Sequence, residues 1–127
     1  MHRMMDSTKD IGREGEDIAC EYLLKKGYKI KDRNWHFSRY EVDIIIENDD
    51  YIVFVEVKFR SGNYFGEPEV FVSQKQKYNL IRAANHYIDK MDIVKEARFD
   101  ILSILKTGDK LTVNHIADAF KPEVNQE

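Results

Sequence analysis

Apolar residues recur along this chain with two different periods, and the switches between them outline its elements. Over residues 11–26 the period is helical. At about 100° per residue, Ile11, Gly15, Ile18, Ala19, Tyr22 and Leu23 fall within an arc of roughly 140°. Gly27 stands where a helix commonly stops. On the same wheel Cys20 falls near the polar side, while Glu16 sits at the edge of the apolar arc, near Gly12 and Leu23. From that edge Glu16 can point along a core boundary. Residues 28–34, 41–47 and 51–60 read as strands from their Ile, Val and Phe content and short length. Asn48-Asp49-Asp50 is a turn signal between the last two, and Gly62, Gly66 and Pro68 mark a loop after them. Ser73 with Gln76 fits a capping box that opens a second helix running to about Met91. Its Leu80, Ile81, Ala84, Tyr87, Ile88 and Met91 form one stripe of about 120°. Residues 98–105 and 110–116 complete the set as strands around Thr107-Gly108-Asp109. The order α-β-β-β-α-β-β predicts an α/β fold, a mixed sheet flanked by helices.

Composition narrows the class. The 127 residues make one ordinary domain, with a core at about 10–120 and short flexible termini, large enough to fold without disulfide or metal staples. Its longest purely apolar run is Tyr51 to Val55, far short of a membrane span, and no secretory signal is visible before residue 11. Cys20 alone excludes an internal disulfide framework and a multi-cysteine zinc site. A cytoplasmic protein without a membrane partner is expected. The formal charge of −3 argues against coating nucleic acid through charge alone. Charge is uneven, however. Residues 22–39 hold Lys25, Lys26, Lys29, Lys31, Arg33 and Arg39 against Asp32 alone, and residues 58–82 hold five bases against Glu67 and Glu69. The acids concentrate at 6–21 and 41–56.

The acidic stretch carries the candidate chemistry. Strand alternation puts Glu41, Asp43 and Ile45 on one face and Val42, Ile44 and Ile46 on the other. A two-residue turn at Asp49-Asp50 would pair Asn48 with Tyr51, which sets Asp43 opposite Glu56 and Glu41 opposite Lys58. That register gathers three acids and a lysine. Two carboxylates and a backbone carbonyl suit Mg²⁺ or Mn²⁺, and a lysine beside them can orient or deprotonate an attacking water. Metal-assisted phosphodiester hydrolysis is the reaction such a group suits. An exposed sheet face with a Glu41–Lys58 ion pair is the plainer alternative.

Asp43 and the run Val53-Phe54-Val55-Glu56-Val57-Lys58 resemble the PD-(D/E)XK nuclease signature. The wider chain resembles the uncharacterised bacterial YraN-like family, classed with endonucleases related to archaeal Holliday junction resolvases. Gly12, Gly15-Glu16, Ala19, Tyr22-Leu23, Gly27-Tyr28, Asn34-Trp35, Glu41-Val42-Asp43 and Arg60 carry that likeness. So do Phe65-Gly66, Ala83-Ala84, Tyr87, Arg98-Phe99-Asp100 and Ala119-Phe120. The resemblance implies a restriction-endonuclease-like core, with Asp43 and Glu56 as metal ligands and Lys58 as catalytic lysine; the Val57 carbonyl, and Glu41 as a further candidate, join the expected oxygen donors. It also implies an active-site role for Glu16. Tyr40 stands where relatives often have glycine. The Lys-Gln pair usual at the second helix corresponds to Gln74-Lys75-Gln76-Lys77, so Lys75, Gln76 and Lys77 join Arg39 and Arg60 as candidate substrate contacts; the helical stripe singles out Lys77 as facing inward.

Other residues carry less. Trp35 and Phe37, between Arg33 and Arg39, could stack on bases, or Trp35 could pack the core. His2, His36, His86 and His115 lack ligand spacing and read as surface residues. Asp100 is expected to support a strand end or pair with an arginine. The reading is therefore a metal-dependent DNA endonuclease, with branched or repair-intermediate DNA among its substrates and a homodimer suggested by two-strand cutting. The rival is a nuclease-like fold that binds nucleic acid or protein without turnover.

Overall fold

At Gly15 the first helix approaches the sheet with no room for a side chain, which bears on how the layers stack. A computed structural model describes residues 7–62 and 72–122. Helix α1 (Ser7–Lys25) lies on one face of a five-stranded sheet and α2 (Gln74–Lys90) on the other. The strands are β1 (Lys29–Phe37), β2 (Tyr40–Glu47), β3 (Tyr51–Ser61), β4 (Glu96–Thr107) and β5 (Lys110–Ile116), and they neighbour one another in chain order. Only β3 and β4 are parallel, and α2 supplies the crossover that parallel pairing requires. This is the expected α-β-β-β-α-β-β mixed sheet. The loop holding Phe65, Gly66 and Pro68 lies outside the described residues, as does the side chain of Ile11.

A Cβ on Gly15 would meet the Phe59 Cβ at 2.9 Å, closer than side chains tolerate. The missing side chain thus lets α1 approach β3. Gly15→Ala should push the helix outward and cost about 1–3 kcal/mol, measurable by urea unfolding. Gly27, at φ +98°, ends α1 in the left-handed region, with its N–H donating to Leu24 and that of Tyr28 to Leu23. Ala19 and Leu23 of α1 pack against Ile44, Ile46, Val53, Val55, Leu102 and Ile104. Cys20 joins this cluster at 8% exposure, and burial pushes its thiol pKa up. This corrects its placement on the polar side: the sheet is broad enough to cover a wider arc of α1 than the apolar residues mark. On the opposite face, Leu80, Ala83, Ala84 and Tyr87 of α2 pack against Val42, Ile45, Ile52, Phe54 and Phe99. The capping box is present, with the Ser73 hydroxyl accepting from the Gln76 N–H and the Gln76 side chain from the Ser73 N–H.

The hairpin joining β2 and β3 has the expected register. Ile44 opposes Val55, Ile45 Phe54, Ile46 Val53 and Glu47 Ile52. The Asn48 side chain clamps its turn, accepting from the N–H groups of Asp50 and Tyr51 at 2.9 and 2.8 Å. The expected alternation in β2, by contrast, holds only from Ile44 onward. Val42 faces α2 together with Ile45, while Ile44 and Ile46 face α1. The neighbouring strand turns over with it: Arg33 reaches α1, Trp35 faces α2, and Asn34 between them has φ +51°. A left-handed residue inside a strand reverses which face its successors present, and β1 and β2 reverse together. Asp43 sits at the reversal.

Candidate active site

The β2–β3 ladder stops where β3 changes from apolar to charged. Residues Ile52 to Val55 are fully buried, and Glu56, Val57 and Lys58 are half-buried. Continuing the register would deliver the Val57 N–H to the Val42 carbonyl. Instead, the Asp43 carboxylate accepts it through Oδ2 at 2.8 Å. A strand residue points its N–H and C=O toward the same edge, so the Val57 carbonyl is turned to the Asp43 side as well. Glu56 and Lys58 share a strand face, and their charged ends stand 3.8 Å apart. Glu41 is exposed and lies 3.7 Å from His36 Nε2, so Lys58 pairs with Glu56 and not with Glu41 as the simple register suggested.

Of these groups Glu41, Asp43 and Glu56 border a cleft of about 200 Å³ between the sheet and the start of α2, and Lys58 reaches it only through its pair with Glu56. Arg39, Tyr40, Glu41 and Asp43 line it from β2 and the turn before it, Glu56 from β3, and Gln76, Asn79 and Leu80 from α2. Asn79 and Leu80 follow Gln76 at the helical intervals of three and four, a spacing that could have pointed to them. Glu16 comes from α1. Its carboxylate accepts from Asn34 Nδ2 at 2.9 Å and lies 3.6 Å from the Arg33 guanidinium, which also holds Asp17 at 2.8 Å. Asn34 and Arg33 are thus the residues that position Glu16, and nothing in the motif spacing marks them.

The other candidates scatter. Lys77 is half-buried as expected, but its ammonium lies 5.5 Å from the Phe120 ring, away from the cleft. Lys75 is exposed on α2, and Arg60 is half-buried on β3 opposite Leu105. Trp35 packs edge-on against Tyr87 at 5.2 Å and beside His86 at 5.6 Å, which is the core-packing alternative and leaves it outside the cleft lining.

Electrostatics set the cleft apart. Burial, and then the nearby Glu56, push the Asp43 carboxyl up to about 7, with Glu16 and Glu41 adding to the rise and the Val57 N–H opposing it. Burial raises Glu56 too, with Lys58 opposing and Glu41 reinforcing. The cleft therefore carries more negative charge than its own cations offset. Among the described residues no three His, Cys, Asp or Glu side chains converge on one point. A hard divalent cation fits the donors nonetheless, because Mg²⁺ is commonly held by one or two carboxylates and keeps several waters. Asp43, Glu56 and the Val57 carbonyl are all oxygen donors.

A raised carboxyl has a definite sign in stability. The fold favours protonated Asp43, so folding loses free energy as pH rises from about 4, where the unfolded chain ionises, to about 7. Asp43→Asn keeps an acceptor for the Val57 N–H and removes the charge. In chelator at pH 8 it should be roughly 1–3 kcal/mol more stable than the natural chain, with the gap closing toward pH 4. Denaturant titrations at the two pH values would check this.

A sequence model of the uncharacterised protein family UPF0102 matches residues 15–104. The chain is 40% identical over 116 residues to a UPF0102 protein of Flavobacterium psychrophilum, covering 91% of this chain and 98% of that one. It is 44% identical over 114 residues to one of Syntrophomonas wolfei, covering 89% and 99%, and 35% identical over 113 residues to one of Myxococcus xanthus, covering 88% and 90%. The chain belongs to the UPF0102 family. This is the YraN-like family whose residues it resembles. The UPF0102 match spans Glu16, Arg39, Glu41, Asp43, Glu56 and Lys58, so every charged group discussed at the cleft lies within the matched residues, as does Gln76. No helix among the described residues is long and apolar enough to cross a membrane.

Proposed function

We propose that this UPF0102 protein is a metal-dependent endonuclease that hydrolyses phosphodiester bonds in DNA. The observation that carries the reading is the open end of the hairpin: Asp43 takes the Val57 N–H while Glu56 and Lys58 meet beside it. Asp43, Glu56 and the Val57 carbonyl would hold Mg²⁺ or Mn²⁺, with Glu41 within electrostatic reach of both acids. A bound divalent cation supplies an acidified water and offsets charge that develops on the phosphate. The remaining work falls to the chain. Val57 fixes one Asp43 oxygen and so sets the carboxylate's rotation. Lys58 orients or deprotonates the attacking water and stabilises the anionic transition state. Arg39 and Gln76, which line the cleft together with Glu56, would hold phosphate oxygens. Glu16, fixed by Asn34 and Arg33, adds negative potential that favours the cation.

Purified protein incubated with linear, nicked, flapped and four-way DNA, with Mg²⁺, Mn²⁺ or chelator, tests the reading. Cleavage should require the divalent cation and disappear in Glu56→Gln. Salt-dependent binding without cleavage of any substrate would replace it with the non-catalytic module. Size-exclusion chromatography of the complex would show whether two copies act together.

A further inference from the structure

Next to the cleft, four side chains stand in alternating aromatic and cationic order. The Arg39 guanidinium lies 5.5 Å from the Tyr40 ring centre, and Arg82 lies 5.8 Å from Tyr40 and 5.7 Å from Tyr78. Arg82 also donates to the Tyr78 hydroxyl at 3.4 Å. Tyr78 is 52% exposed, a large fraction for an aromatic ring, and Arg39 and Arg82 are exposed as well. Among the described residues neither arginine is paired with a carboxylate. The ladder is continuous with the cleft, because Arg39 and Tyr40 line both. It continues along α2, where Gln76 and Asn79 border the cleft, Arg82 meets Tyr40, and His86 stacks on Phe37 at 3.8 Å. His86 stands ten positions after Gln76 on the helix, a track of about 15 Å.

An exposed ring at Tyr78 and a half-buried one at Tyr40, both beside guanidinium groups, have one chemistry in common with nucleic acid. The rings accept unstacked bases, and the cations meet the phosphates between them. A continuous duplex keeps its bases stacked inside and offers the rings nothing. We propose that Tyr78 and Tyr40, with Arg39 and Arg82, form a subsite for the unpaired strand that leaves the cleft, so that the substrate carries single-stranded DNA next to the scissile bond. This rests on the nuclease reading for the role of the cleft, and it moves base stacking from Trp35, which packs on Tyr87, to the tyrosines beside it.

Binding measured in chelator needs no turnover and keeps the two readings separable. Fluorescence anisotropy of the full chain would compare a labelled single strand, its blunt duplex, a duplex with an overhang, and RNA of the same sequence. Single strand and overhang should bind more tightly than blunt duplex. Tyr78→Ala should weaken them roughly 5- to 100-fold, the span of one lost base–aromatic stack, while Tyr78→Phe restores binding and blunt-duplex binding stays unchanged. Arg82→Ala should reduce the salt slope by about one. RNA binding as tightly as DNA, with the same Tyr78 dependence, supports the subsite and extends it to either sugar. The proposal is overturned if Tyr78→Ala leaves single-strand binding unchanged. Blunt duplex binding as tightly as the overhang overturns it too, as does a binding loss in Tyr78→Ala that follows a lowered Tm. Tyr78-dependent binding without any cleavage would remove the nuclease reading alone; cleavage with Tyr78-independent binding would remove the subsite alone.

Discussion

Replacing Lys58 with methionine should lower the rate of Mg²⁺-dependent DNA cleavage by about 10²–10⁴-fold, the usual worth of a positioned proton-transfer group. Methionine keeps the unbranched stem that lies half-buried on β3, so packing is retained and only the ammonium is lost. The Lys58–Glu56 pair is partly open to solvent, with side chains 21% and 22% exposed, and such pairs add about 1 kcal/mol or less to stability. The variant should therefore unfold within a few degrees of the natural chain. Single-turnover cleavage at saturating Mg²⁺, beside a thermal melt, measures both quantities. Removing Lys58 also removes what opposes the rise of the Glu56 pKa, so cation affinity and its pH dependence should shift with the rate. Cleavage unaffected by the change would take Lys58 out of the chemistry.

Asp100→Ala should be the most damaging single substitution for stability, at roughly 3–5 kcal/mol, or about 10–20 °C in Tm. Asp100 is 0% exposed and serves four donors. Arg98 reaches both its oxygens at 2.9 and 2.8 Å, His115 Nε2 lies 2.7 Å from Oδ2, and the Asp118 N–H donates at 3.0 Å. Burial alone would raise this carboxyl. The bonds from His115, Arg98 and Asp118 outweigh burial and hold it below the ordinary range. Alanine would leave the Arg98 guanidinium and the His115 ring facing an empty, buried space. The sign with pH is opposite to that at Asp43. Stability from Asp100 is fully present above its unfolded pKa and is lost as pH falls through the lower folded value. Acid titration of the natural chain against Asp100→Asn would isolate that contribution.

The same pair of aspartates shows what could be read from the sequence. The nearness of Asp43 to the Glu56 segment was legible because an Asn-Asp-Asp turn fixes the start of a hairpin register, whereas the Glu41–Lys58 pairing from the same numbering fails because the ladder ends at Ile44 and Val55. The expectation that Asp100 pairs with an arginine was legible for a similarly local reason, since Arg98 lies two residues away on the same strand face. His115 was not. It reads as one more polar position in a polar strand, yet its side chain is 3% exposed, against Asp100 and between the rings of Tyr22 and Tyr28. Its burial depends on a partner from another strand, which periodicity cannot report. The reversal of Val42 and Trp35 was hidden for a related reason. Alternation assumes regular backbone, and Asn34 in the left-handed region breaks that assumption without changing the hydrophobic pattern. Asn34 also holds Glu16, so one irregular residue shapes both the strand and the acid beside the cleft.

The Asn48 turn places a demand on residues that touch no substrate. It stands five positions along the chain from Asp43, a distance of about 17 Å. Because side chains alternate, a slip of one residue between the paired strands would leave both intact as strands and turn Glu56 to the opposite side of the sheet from the cleft. The Asn48 side chain opposes that slip by holding the turn at its present length. A length change between residues 47 and 52 that shifts the pairing should therefore cost the site more than one in a loop outside the hairpin, because the twelve-residue interval from Asp43 to Glu56 is what brings both acids to one cleft.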